Sequence, residues 1–164
     1  MYGRAISDLR YERKSKDKKR SIKDNAVFEF GRGAFFDGEL TYIIGFDEGI
    51  PILMIYPRNA FHKMERKEFA IKEEDIMEIR AALEPVLKWK DRYDDAYGVI
   101  FDGHGWDIWY AYKGERIDKS GYVEYPSDYR ETIVALQALM EKLEKKYAGD
   151  TYSEEDARQR MSLW

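Results

Sequence analysis

Ala26-Val27-Phe28-Glu29-Phe30, Leu40-Thr41-Tyr42-Ile43-Ile44 and Ile52-Leu53-Met54-Ile55-Tyr56 follow one another closely in the chain. Each run is too short for a typical helix and is rich in the β-branched and aromatic side chains that suit a pleated, half-buried surface. Between them stand Phe36-Asp37-Gly38 and Phe46-Asp47-Glu48-Gly49. These are turn residues, because glycine accepts positive φ and aspartate bonds its neighbouring backbone. The reading is three strands in a meander, the third ending at Pro57.

Toward the C-terminus the period changes. Glu73-Glu74-Asp75 precede Ile76, Ile79, Leu83 and Leu87, a spacing of three to four that gathers the apolar residues on one helical face and sets acids at the positive N-terminus. Pro85 interrupts this pattern, removing a backbone donor and crowding the preceding turn, so a kink or two shorter helices are expected. Val99-Ile100-Phe101 and Trp106 to Tyr112 then read as two strands joined at Asp102-Gly103-His104-Gly105, with an edge strand from Gly121 to Tyr125. Asp128 and Glu131 have the spacing of a capping box for a second helix with apolar face Ile133, Leu136, Met140, Leu143 and Tyr147, ended by Gly149. Ser153 and Asp156 suit the start of a last short helix that would set Met161, Leu163 and Trp164 against the body or a partner.

These elements predict an α+β fold, with an antiparallel β-meander and hairpins packed against two main helices. Residues 1–25 read as a basic flexible arm, 26–149 as a single α+β domain and 150–164 as a tail or short helix. Phe36-Asp37-Gly38 followed by Tyr56-Pro57 is echoed by Phe101-Asp102-Gly103 followed by Tyr125-Pro126. Either a duplicated meander-plus-helix unit or convergence on common turn residues would produce that echo.

Composition narrows the class. Hydrophobic residues make up 44% of 164, and aromatics 15%, too much apolar material for a disordered chain. Charged residues are 37% of the whole, and no apolar run is long enough to span a bilayer. There is no cysteine, which excludes disulfides and thiolate chemistry. The first residues lack a secretory pattern. A cytoplasmic location is therefore expected. Residues 1–24 hold nine Lys/Arg against four acids, so the body is acidic within a total net charge of −4. A compact acidic body attracts basic partners, while the basic arm would touch phosphate or dock on the domain itself.

The sharpest local cluster is Asp102, His104 and Asp107 around a glycine-rich turn, with Asp94 and Asp95 nearby. These side chains are metal-ligand types, yet aspartate and glycine are also ordinary hairpin residues and the spacing matches no recognised metal motif. His62 has no acid or nucleophile at a diagnostic distance. No Gly-x-Ser-x-Gly is present, and Gly31-Arg32-Gly33 lacks the rest of a phosphate-binding loop, which makes it a turn or bulge. No cofactor is expected. Along Trp106 to Tyr112, alternation sends Trp106 and Ile108 to one face and Asp107 and Trp109 to the other. Large rings on both faces imply either a sheet buried on two sides or a partner-binding patch. The arm residues Arg13, Lys14, Lys16, Lys18, Lys19 and Arg20 are compatible with salt-sensitive, sequence-independent phosphate binding.

Over residues 72–145, the layout of Trp89, Tyr93, Phe101-Asp102-Gly103, Trp106, Gly121 and Tyr125-Pro126 ahead of the Ile133/Leu136/Met140/Leu143 helix resembles small uncharacterised bacterial proteins associated with mobile elements. That resemblance implies a bacterial origin and carries no agreed activity or catalytic residues to transfer. In size, acidity and lack of enzyme motifs the chain is also similar to phage-encoded inhibitors of defence systems, anti-CRISPR proteins among them. This type of protein implies occlusion of a nucleic-acid-binding partner.

The leading expectation is a non-enzymatic protein-binding module, an inhibitor whose acidic face and exposed rings engage a basic protein or ribonucleoprotein. Its contacts would be Trp109, Tyr110, Asp94, Asp95 and Trp164. The alternatives are a metal-dependent hydrolase or nuclease at Asp102, His104 and Asp107, and a nucleic-acid-binding protein working through the arm.

Overall fold

A computed structural model describes residues 26–34, 38–58, 66–93, 104–149, 153 and 155, which build an α+β fold around one seven-stranded sheet. Strands β1 (Phe28–Ala34), β2 (Gly38–Asp47), β3 (Ile50–Arg58) and β4 (Lys67–Ala70) come first. Helix α1 (Glu73–Ala82) and a 3-10 turn (Glu84–Lys88) follow. The two-residue β5 (Arg92–Tyr93), β6 (Gly105–Tyr112), β7 (Glu115–Tyr122) and helix α2 (Tyr129–Ala148) complete the order. The sheet runs β4-β3-β2-β1-β6-β7-β5. All neighbours are antiparallel except the parallel pair β5 and β7. The arm, residues 94–103 with the expected Val99-Ile100-Phe101 strand, and most of the C-terminal tail lie outside the described residues.

The meander forms where the β-rich runs predicted it, with longer strands. Two hairpins turn on paired positive-φ residues, Glu48-Gly49 (51° and 80°) and Lys113-Gly114 (51° and 80°). Type I′ turns demand this, because their twist matches that of the strands they join. The second turn makes β7 the hairpin partner of β6, so the strand begins at Glu115 rather than Gly121. Its sequence hides it: of Glu115–Tyr122, Ile117 is the residue whose side chain enters the core.

Pro85 acts as expected. α1 stops at Ala82, and the proline sits in the first turn of the 3-10 segment, where its missing N–H is harmless. Asp75 accepts the Lys72 amide at 2.9 Å and the Tyr147 hydroxyl, which ties the start of α1 to the end of α2. The capping box foreseen at Asp128 does not form. Its carboxylate instead accepts the indole N–H of buried Trp89 at 2.8 Å and pairs with Lys88 at 3.2 Å. A buried indole donor left unsatisfied costs more than a cap gains.

Both helices pack on one sheet face. There Phe28, Phe30, Leu40, Ile44, Leu53, Ile55, Trp106, Ile108 and Tyr110 meet Ile76, Ile79, Ile133, Leu136, Met140 and Leu143 in the main core. Each such side chain contributes about 1.5–3 kcal/mol by leaving water. The opposite face carries a second buried cluster, Ala26, Ile43, Met54, Tyr56 and Trp109, beside buried Glu29, Glu39, Thr41 and Asp107. The sheet is therefore buried on two sides. No helix among the described residues is long and apolar enough to cross a membrane.

A cationic aromatic cleft at the sheet rim as candidate functional site

At the end of β1 and the start of β6, Gly33 and Gly105 stand opposite each other. A cleft of about 460 Å³ opens between this rim and the first turns of α2. Its lining is Arg32, Gly33, His104, Gly105, Tyr125, Tyr129, Arg130, Ile133 and Val134. The volume lies in the range of ligand pockets.

Alternation along β1 turns Arg32 to the helix side of the sheet. α2 supplies Tyr129, Arg130, Ile133 and Val134 from its first two turns. Tyr125 arrives from the bend after β7, which passes through Val123 at φ 61°. A β-branched residue in the left-handed region is strained by roughly 1–3 kcal/mol. Here the Val123 N–H is held by the His104 carbonyl at 2.9 Å.

The aromatic wall is braced from behind. The ring of Tyr129 lies 4.7 Å from that of Tyr125, 5.2 Å from Trp106 and 6.2 Å from Trp89. Trp106 is itself held by its indole N–H donating to the Glu124 carbonyl at 3.0 Å. Offset and tilted ring contacts of this kind add about 0.5–1.5 kcal/mol beyond burial. Burial pushes the Tyr129 hydroxyl far above the ordinary tyrosine range, with Arg32 opposing, so it remains a proton donor. Tyr125 is raised for the same reason and against the same arginine. Burial also lowers the Arg32 guanidinium, with the tyrosines Tyr129, Tyr42 and Tyr125 acting in the other direction.

Two arginines and a histidine thus line the cleft, and no acid does among the described lining residues. Nor does a serine or threonine line the cleft, which leaves it without a carboxylate-activated hydroxyl nucleophile among the described residues. Arginine forks and hydroxyl donors recognise oxyanions, and rings with apolar neighbours grip the group that carries them.

The expected contact residues fare differently. Trp109 and Tyr110 are 8% and 1% exposed, so the partner patch expected on them is corrected: Trp109 completes the second cluster and Tyr110 the main core. Large rings on both faces mean burial on both faces. Asp94, Asp95 and Trp164 lie outside the described residues, as do Asp102, His62 and the arm positions Arg13, Lys14, Lys16, Lys18, Lys19 and Arg20. His104 and Asp107, grouped as metal ligands, diverge. His104 lines the cleft on the helix side, whereas Asp107 is buried on the other face, its carboxylate leaning over Gly31 toward Thr41. Among the described residues no group of three or more His, Asp or Glu is placed to hold a metal ion.

The expected acidic face is also laced with cations. Glu73 pairs with Lys113, Glu78 with Lys142, Glu115 with Arg80 and Asp91 with Lys119. Nothing in the sequence marks Tyr125, Tyr129, Arg130 or Val134 as a site, and Gly31-Arg32-Gly33, expected to be a turn or bulge, lies within the regular pairing of β1 with β2 and β6. The signals present were Arg32 between two glycines and the Tyr125-Pro126 boundary, but no periodicity connects residues so distant in the chain. A scan of protein-family models and a search of curated proteins each gave no match to this chain.

Proposed function

We propose that this protein is a binding module that docks a partner protein at the rim of the cleft. The observation that carries this reading is the exposure of Tyr125 (43%) and Val134 (58%) beside Arg130 around a preformed concavity. Tyrosine and arginine at the edge of a pocket are the residue types that dominate protein-binding energetics. Exposed Arg130 at that rim suits an acidic segment of the partner. Inhibition of a nucleic-acid-binding complex is the specific form of this reading that the chain's size suggests, with occlusion as its mechanism.

The test is affinity capture from the source organism by the wild-type protein and by Tyr125→Ala and Arg130→Glu, with circular dichroism confirming that both variants fold. A stoichiometric protein retained by the wild type and lost by both variants supports the reading. Equal retention by both variants removes the cleft as the docking site.

A further inference from the structure

We infer that the sheet face opposite the helices is a docking surface for the chain's own N-terminal segment, residues 1–25, whose Lys and Arg side chains meet buried carboxylates there. The need for a cover comes first. Both helices pack on the other face, and among the described residues no helix or strand lies over this one. Yet Ile43, Met54, Tyr56 and Trp109 are each at most 8% exposed. Arg66 reaches one edge, over the Tyr56 ring at 5.8 Å. Side chains buried so deeply touch several neighbours each, so the cover comes from chain outside the described residues.

Charge selects the segment. Strand alternation puts Glu29, Glu39 and Asp107 on this same face, each at most 5% exposed. Carboxylates at that depth stay ionised only among cations and hydrogen-bond donors. Residues 1–24 hold nine Lys/Arg against four acids. Residues 94–103 hold three acids and no Lys/Arg, and 150–164 hold four acids and two Arg. Residues 59–65 hold one Lys and one Glu, and 35–37 one acid. The N-terminal segment is the basic one.

Reach and chain path agree with charge. Ala26, where the described chain begins, is itself a member of the cluster on this face. The 25 residues before it extend to about 80 Å, whereas the four strands β6, β1, β2 and β3 span roughly 15 Å. Residues 59–65, by contrast, are tied at both ends to the neighbouring strands β3 and β4. Tyr2, Ile6 and Leu9 stand at spacings of four and three, a pattern that gathers apolar side chains on one helical face. They supply the contacts that Ile43, Met54 and Trp109 require. An arm docked in this way belongs to the packing of the domain and is withheld from phosphate.

The chain has no cysteine, so Ser15→Cys carries a single nitroxide label, and the amide signals of the full, isotopically enriched chain report which residues lie near it. The expected result is selective loss of the Glu29, Thr41 and Asp107 signals, with those of Val134 and Ala138 on the exposed side of α2 retained. Combining Lys16→Glu, Lys18→Glu, Lys19→Glu and Arg20→Glu should restore the lost signals, with circular dichroism confirming the fold. The label map stands without that variant if it does not fold.

No selective loss, loss centred on α2, or the same loss in the folded charge-reversed chain overturns the inference. Loss that persists when the label sits on a second, isotopically silent chain assigns the cover to a neighbouring copy and overturns it as well.

Discussion

Gly121→Ala tests how tightly the wall behind the cleft is built. Gly121 pairs with Trp106 across β6 and β7. A Cβ at that position would lie 2.3 Å from the Trp106 indole nitrogen and 2.5 and 2.7 Å from two ring carbons. Ordinary contact needs about 3.5 Å or more, so the indole must withdraw by roughly 1 Å. It has nowhere to go, since Trp89, Tyr93 and Tyr129 stand at 5.6, 5.9 and 5.2 Å between ring centroids. Overpacking of this kind costs about 1–3 kcal/mol, and loss of the indole bond to the Glu124 carbonyl adds about 0.5–1.5 kcal/mol. Urea unfolding followed by tryptophan fluorescence should therefore show a loss of roughly 2–4 kcal/mol. In a Trp106→Phe background, where the second ring is absent, the same glycine change should cost visibly less. A loss below about 0.5 kcal/mol, the size of an ordinary surface substitution, would refute the packing described.

Gly31→Ala should also destabilise, by about 1–3 kcal/mol, because its Cβ would sit 2.9 Å from Asp107 Oδ1 and 3.3 Å from Thr41 Oγ1; urea midpoints measure it. Lys67→Met leaves buried Glu144 without the ammonium 3.4 Å away, so a loss of roughly 3 kcal/mol is expected, partly recovered in Lys67→Met/Glu144→Leu. Val123→Gly relieves the left-handed strain at φ 61° and should raise stability by about 1 kcal/mol; a decrease of that size contradicts it. The hydrogen bond from Arg80 holds the Glu115 carboxyl below the usual glutamate range. Its contribution is therefore present above the unfolded value near pH 4.3 and is lost as pH falls through the lower folded value. Glu115→Gln should flatten that acid limb in unfolding measured from pH 5 to pH 2, while an unchanged limb would remove the pair from the account.

Several features were legible because their causes are local. Val27 to Phe30, Leu40 to Ile44 and Ile52 to Tyr56 announced a meander through residue type and turn chemistry. Pro85 announced the break between α1 and the 3-10 turn, and Gly149, at φ 56°, the end of α2. β7 was misplaced because Glu115–Tyr122 buries little, and its strand character comes from pairing with β6 rather than from its own side chains. Asp128 was read as a cap because nothing nearby in the chain reveals that Trp89 needs an acceptor.

Sequence by itself determined the fold class, the two helical faces and the presence of large rings on both sides of β6. Tertiary structure alone decided that Trp109 and Tyr110 face inward, that His104 and Asp107 part to opposite faces, and that Arg32, Tyr125, Tyr129 and Arg130 meet at one rim. That rim exists because strand register sets Arg32 beside Trp106 on the helix side and chain topology brings the start of α2 over them. Residue type and spacing govern local backbone conformation, whereas a site made of Arg32, His104, Tyr129 and Arg130 depends on which distant segments the buried core forces into contact.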